Sequence, residues 1–177
     1  MSKTQTELSP EHTWTNPDHK PISSKYLNPT FVKASVDERV IIRRIMSVYE
    51  VPESDYEETP VYCGASYEVK FHFANRLFVG ELKVREIGSN DFNSGLIEKV
   101  KYLRLLEAGR RLKAEPIYIM HYPDDTIRIW GLKKVIEPTW SYKWLPGDGV
   151  NKTNYKWKLA GEIPNENGLY IQLPPIE

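Results

Sequence analysis

Between Tyr67 and Arg85 the side chains alternate in character with a period of two, on both sides of a short polar break. Tyr67, Val69, Phe71 and Phe73 alternate with Glu68, Lys70 and His72; Phe78, Gly80, Leu82 and Val84 alternate with Val79, Glu81, Lys83 and Arg85. Successive side chains of a strand point to opposite faces, so this pattern demands a β-hairpin with one packed and one charged face. Ala74-Asn75-Arg76 supplies the turn. With Asn75 and Arg76 at its centre, Glu68 lies opposite Lys83 and Lys70 opposite Glu81, all four on the charged face.

Helical spacing flanks the hairpin. Val36, Val40, Ile41, Ile45 and Val48 mark a first helix across residues 31–50, with Ser35 as its N-cap and Asp37 and Glu38 in its first turn. Leu96 to Leu112 forms a second, with Val100, Leu103, Leu106 and Leu112 in its apolar stripe. Residues 51–60 and 88–95 are expected loops. Residues 116–122 and 126–132 pair as two more strands around Pro123-Asp124-Asp125. The order helix, hairpin, helix, hairpin implies an α/β domain with a mixed central sheet covered by helices on one face.

Three segments are expected. Residues 1–30, polar and broken by Pro10, Pro17, Pro21 and Pro29, form an extended arm. Residues 31–135 hold the α/β core, and residues 136–177, rich in Trp, Tyr and Lys, form a β-rich extension packed on it. Lys and Arg number 24, as do Asp and Glu, so the formal charge is zero and a strongly basic coat protein is excluded. The single cysteine, Cys63, excludes a disulfide framework and a Cys-rich zinc site. No apolar run is long enough for a membrane span, and the first ten residues lack a secretory pattern, so a cytoplasmic location is expected.

Glu68, Glu81 and Lys83 on one hairpin face are the residues with chemistry to offer. Two carboxylates can hold a hard divalent cation, and a neighbouring ammonium can orient a water or stabilise developing negative charge. Charge on the solvent face of a hairpin is also ordinary, and cross-strand Glu–Lys pairs need no catalytic role. His72 shares the charged face, His121 ends a strand, and His12 and His19 lie in the arm without a metal pattern.

A helix with an acid, an acid on one strand, Glu-x-Lys on its partner, a basic helix and a further strand occur here in that order. In this the chain resembles the PD-(D/E)xK nuclease superfamily, particularly the archaeal Holliday-junction-resolvase branch and small phage nuclease-like proteins. The resemblance is carried by Glu38, by Ser66-Tyr67-Glu68-Val69, by Gly80-Glu81-Leu82-Lys83-Val84-Arg85, by Lys101-Tyr102-Leu103 and by the strand from Pro116. It covers residues 36–132 and implies a restriction-endonuclease-like fold and hydrolysis of DNA phosphodiesters with Mg²⁺ or Mn²⁺. It also implies metal ligation by Glu68 and Glu81 with Glu38 in support, catalytic assistance by Lys83, and 5′-phosphate and 3′-hydroxyl ends. The family usually has Asp where Glu68 stands; a register slipped by two would bring Ser66 there instead. An inactive nuclease-like scaffold, a virion component or a binder of a host factor therefore stands as the alternative.

Lys99, Lys101, Arg104, Arg110 and Arg111 give the second helix a basic character suited to DNA phosphates. Lys143, Lys152, Lys156 and Lys158 interleave with Trp140, Trp144, Tyr155 and Trp157, a composition that serves either base stacking or a small core or interface. The arm or these aromatics could dock a protein partner.

Overall fold

The computed structural model describes residues 29–59, 65–147 and 154–175, with residues 29–32 as backbone alone. The expected arm, apart from residues 29 and 30, lies outside the described residues, as do Cys63 and Lys152. Eleven α and β elements follow: α1 (Pro29–Val48), β1 (Tyr56–Glu58), β2 (Val69–Phe73), β3 (Arg76–Val84), β4 (Ser94–Glu98), α2 (Lys99–Leu112), β5 (Glu115–His121), β6 (Thr126–Gly131), β7 (Ser141–Pro146), β8 (Tyr155–Pro164) and β9 (Leu169–Gln172).

Six strands form the main sheet in the order β1-β2-β3-β5-β6-β9. The β3–β5 pair is parallel and the other pairs antiparallel, so the sheet is mixed. The parallel pair requires a crossover, which α2 supplies. A second, three-stranded sheet runs β4-β8-β7.

The helices cover opposite faces of the main sheet, not one face as the element order suggests. On one face Ile41, Ile42, Ile45 and Met46 of α1 pack on Val69, Phe71, Leu82, Ile117, Ile119 and Ile127. On the other, Tyr102, Leu105 and Ala108 of α2 join Val79, Tyr118, Met120, Trp130 and Ile163 of the second sheet. Gly95 permits that second contact, because a Cβ there would lie 2.7 Å from the Trp130 ring. The main sheet is thus buried on both sides, which explains why β5 reads as a nearly unbroken apolar run.

Several boundaries depart from the sequence reading. Helix α1 begins at Pro29, suited to a first helical position that needs no N–H, and Ser35 is buried inside the helix instead of capping it. Residues 56–58 and 94–98 are strands, where loops and the start of a helix are expected. Both are short, and each borrows its pairing from a neighbour: β1 from β2, β4 from β8.

Candidate functional site

Strand β3 supplies the first pair. Glu81 and Lys83 share the face toward α2, while Leu82 between them is fully buried against α1. Strand β5 runs beside them, with Glu81 level with Tyr118 and Lys83 level with Met120. The Glu81 position is only 7% exposed. Burying a carboxylate so deeply is costly unless it is paired.

Its partner comes from α2. The Lys101 ammonium forms an ion pair with Glu81 Oε1. A third of the Lys101 side chain (33%) keeps contact with solvent. Burial nevertheless pulls its pKa down, against the opposing fields of Glu68 and Glu38.

Glu68 enters just ahead of β2. Its backbone N–H donates to Gly80 O at 2.7 Å, and its carboxylate accepts the Leu82 N–H at 2.8 Å. The carboxylate is therefore anchored on the Glu81–Leu82 peptide. This differs from the expected placement. Left-handed Ala74 and Asn75 (φ 49° and 59°) occupy the turn centre, one residue earlier than expected. Both central residues at positive φ make the two-residue turn that suits a hairpin's twist. Every cross-strand partner consequently moves by two: Lys70 faces Val79, not Glu81, and Val69 faces Gly80. Lys70 turns instead to Glu57 of β1, at 2.6 Å. The slip does not exchange Ser66 for Glu68, since Glu68 is the residue fastened to the Leu82 amide.

Glu38 projects from α1 toward the same charges. Burial first, and then the field of Glu68, push its pKa from the ordinary 4.5 up to about 8, against Lys83, Lys101 and Arg39. Arg39 beside it is buried and donates to Thr59 O at 2.9 Å, tying α1 to the segment ahead of β2. Three carboxylates and two lysines thus share this end of the sheet.

Among the described residues no three His, Cys, Asp or Glu side chains already converge to grip an ion. Glu81 is turned to Lys101 and Glu68 to the Leu82 amide. In donor chemistry the set does suit a hard divalent cation, because all three acids offer carboxylate oxygens.

Beside the cluster lies a groove of about 270 Å³ lined by Lys83, Arg85, Lys101, Leu145, Pro146 and Lys158, among others. Its floor is held by Arg85, which donates to Leu96 O at 2.5 Å, and by the Tyr118 hydroxyl, which donates to the same oxygen at 3.2 Å. Burial pushes the Tyr118 phenol up to about 12, so it stays a neutral donor. The far wall belongs to β7 and β8, where Lys158 meets Glu98 at 2.9 Å.

This chain is similar in structure to Hjc, a Holliday junction resolvase from the archaeal hyperthermophile Archaeoglobus fulgidus. The two are 11% identical with a TM-score of 0.45, over 76% of this chain and 92% of that one. No protein-family model matches the sequence, and no curated protein matches it. No helix among the described residues is long and apolar enough to cross a membrane.

The remaining candidates scatter. Of the basic residues of α2, Lys101 pairs with the acidic cluster. Lys99 lies over the Trp140 ring at 5.5 Å, and Arg110 is held by Glu107 at 2.6 and 2.9 Å. Arg104 and Arg111, seven residues apart, share another flank of the helix, both exposed. His72 is exposed near the hairpin turn, opposite Leu77. His121 joins Asp125 at 3.0 Å, and Asp125 also receives Arg44 at 2.8 Å, a tie between the β5–β6 turn and α1. The sequence offered no local signal for the groove wall at Leu145, Pro146 and Lys158, because those residues reach it only through the second sheet.

Proposed function

We propose that this chain is a divalent-metal-dependent endonuclease that hydrolyses DNA phosphodiester bonds. The observation that carries the reading is the meeting of Glu38, Glu68, Glu81, Lys83 and Lys101 at one end of β3, beside an open groove with basic walls. Glu68 and Glu81 would hold Mg²⁺ or Mn²⁺, with Glu38 in support. Bound there, the ion would act as a Lewis acid toward the phosphodiester and lower the pKa of a bound water.

The chain's own groups account for the rest. The Leu82 amide fixes Glu68, so one carboxylate is pre-positioned without cost at the moment of reaction. Lys83, on the face of Glu81, lies at the mouth of the groove, where its ammonium can orient the attacking water and stabilise charge growing on the phosphate. The water oxygen bonds to phosphorus, the bond to the 3′ oxygen breaks, and a proton passes to that oxygen. The products are a 5′-phosphate and a 3′-hydroxyl. Lys101, holding Glu81 in the resting site, must release that carboxylate for ligation and then adds a positive charge to the phosphate side of the groove.

A second reading has its own observation. The Lys101 ammonium already neutralises Glu81, as a cation built into the chain would in a scaffold that has given up metal. One pair of measurements separates the two: calorimetric titration with Mn²⁺, and nicking of plasmid and branched DNA by the wild type, Glu81→Ala and Lys83→Ala. Mn²⁺ binding lost in Glu81→Ala, with cleavage lost in both variants, supports the nuclease. A folded wild type that neither binds Mn²⁺ nor nicks DNA assigns the chain to the scaffold class.

A further inference from the structure

The β7–β8 ribbon carries an apolar surface that the reaction chemistry does not use. Its register sets Trp144 opposite Trp157 and Pro146 opposite Tyr155, so these four share one face. Trp144 is 54% exposed and Trp157 64%, with Tyr142 on the same face more exposed still. The rings form a short ladder: Trp144 to Trp157 at 5.4 Å, Trp144 to Tyr155 at 6.2 Å and nearly parallel. The lysines that interleave with them in sequence fall on the other face, Lys143 opposite Lys158 and Lys156 opposite Leu145. One ribbon therefore has an aromatic side and a basic side.

We infer that this ribbon is a platform for unpaired nucleobases, on which Trp144 and Trp157 stack the bases of a single-stranded segment of nucleic acid. Three observations favour that occupant over a protein surface. The ribbon end, through Leu145, Pro146 and Lys158, forms the wall of the groove that holds Lys83 and Lys101, so a strand leaving the groove meets the ribbon next. In that groove four cations (Lys83, Arg85, Lys101, Lys158) face two carboxylates (Glu86, Glu98). A second groove, between α2 and β8, sets Lys99, Lys156 and Lys158 against Glu98 alone. A chain of zero net charge has thus gathered cations on the ribbon face behind the exposed Trp144 and Trp157 rings and in the groove at its end, which suits a polyanion whose bases are free to stack. In paired DNA the bases already stack on one another, so the ligand is unpaired nucleic acid. Placing that strand in the cleavage site rests on the nuclease reading; the stacking platform itself does not.

Fluorescence anisotropy tests this, with a labelled oligothymidylate and a labelled blunt duplex in EDTA, where no cleavage occurs. The wild type is expected to prefer the single strand. Trp144→Ala with Trp157→Ala should weaken oligothymidylate binding at least about tenfold, the loss expected from one stacked base, and change duplex binding by less than about twofold. Trp144→Phe with Trp157→Phe should restore most of the loss, since a ring remains, and circular dichroism confirms the fold of each variant. Undiminished oligothymidylate binding by the alanine pair overturns the inference. So does light scattering that finds a wild-type oligomer and a monomeric alanine pair with unchanged DNA binding, which would assign the ribbon to self-association. Glu81→Gln separates the two claims: with cleavage unaffected by that change the nuclease reading falls, while the platform stands or falls on the oligothymidylate result.

Discussion

The two faces of β3 obey different rules, although their residues alternate along one strand. Toward α1, Leu82 is wholly buried with Val69, Phe71, Ile42 and Ile119, and that face of the strand is apolar from Phe78 to Val84. Toward α2 the same strand begins in an apolar core at Val79 and ends in charge at Glu81 and Lys83. The first face holds the sheet together; the second gives up apolar burial at one end to gather three carboxylates and two lysines. Burial first, and the nearby Glu68 charge second, raise the Glu38 pKa to about 8, a cost that ordinary packing would avoid. Perturbed groups of this kind concentrate where a protein does chemistry.

That contrast can be broken experimentally, and the largest effect is expected on the apolar face. Ile42→Ala should lower unfolding stability by about 2–5 kcal/mol, the range for truncating a fully buried aliphatic side chain, measured by denaturant titration. A loss below about 1 kcal/mol would show that α1 is not closely packed on the sheet. On the charged face Lys83→Ala should leave stability nearly unchanged while reducing DNA nicking about 10²–10³-fold, as loss of one oriented charge-stabilising group does. An equal loss of stability and activity would reduce Lys83 to a structural residue.

Lys101→Met probes the ion pair. Without metal it strips Glu81 of its cation and should cost roughly 1–3 kcal/mol, as an unsatisfied buried polar group does. Mn²⁺ should then raise the melting temperature of the variant more than that of the wild type, because the ion no longer competes with an ammonium. An equal metal-induced shift in both proteins would mean that Lys101 and metal do not contend for Glu81.

The pH dependence follows from Glu38. Its carboxyl holds a proton more tightly folded than unfolded, so its contribution to stability is fully present below about 4.5 and is lost as pH rises toward about 8. Glu38→Gln, measured in EDTA, should flatten that part of the stability profile; an unchanged slope would place Glu38 outside the cluster. The smallest effect belongs to Arg43, whose exposed pair with Glu58 (2.9 and 3.0 Å) crosses from α1 to β1. Arg43→Ala should cost no more than about 1 kcal/mol, again by denaturant titration.

How far these features were legible varies with the range of the interaction behind them. Period-two alternation marked both faces of the hairpin, because strand geometry is local. Helical spacing located α1 and α2 and picked out Ile41 and Ile45, which are buried, but misjudged part of what the helices bury. In α1 the sheet takes Ile42 and Met46 while Val36 and Val40 stay about half exposed; in α2 it takes Tyr102 and Leu105 while Val100 and Leu103 do. Several rotations of each helix satisfy an amphipathic pattern, and the opposing surface chooses among them. The hairpin register was misjudged by two because a left-handed Ala74 carries no strong sequence signal, unlike glycine. Of the site, Glu68, Glu81 and Lys83 stood out as types and spacings. The Lys101–Glu81 pair and the groove wall depend on how α2 and the second sheet close over β3.

By itself, then, the sequence determined the alternating strands, the two helices and the supply of acids and lysines along them, since each follows from contacts within a few residues. Tertiary structure decided that the helices take opposite faces, that Glu68 is fastened beside Glu81, that a lysine from α2 answers a carboxylate from β3, and that lysines and tryptophans alternating along β7 and β8 part to opposite sides of a ribbon. Those outcomes join residues far apart in the chain. Burial, close packing and the field of neighbouring charges act on them only after the chain has folded.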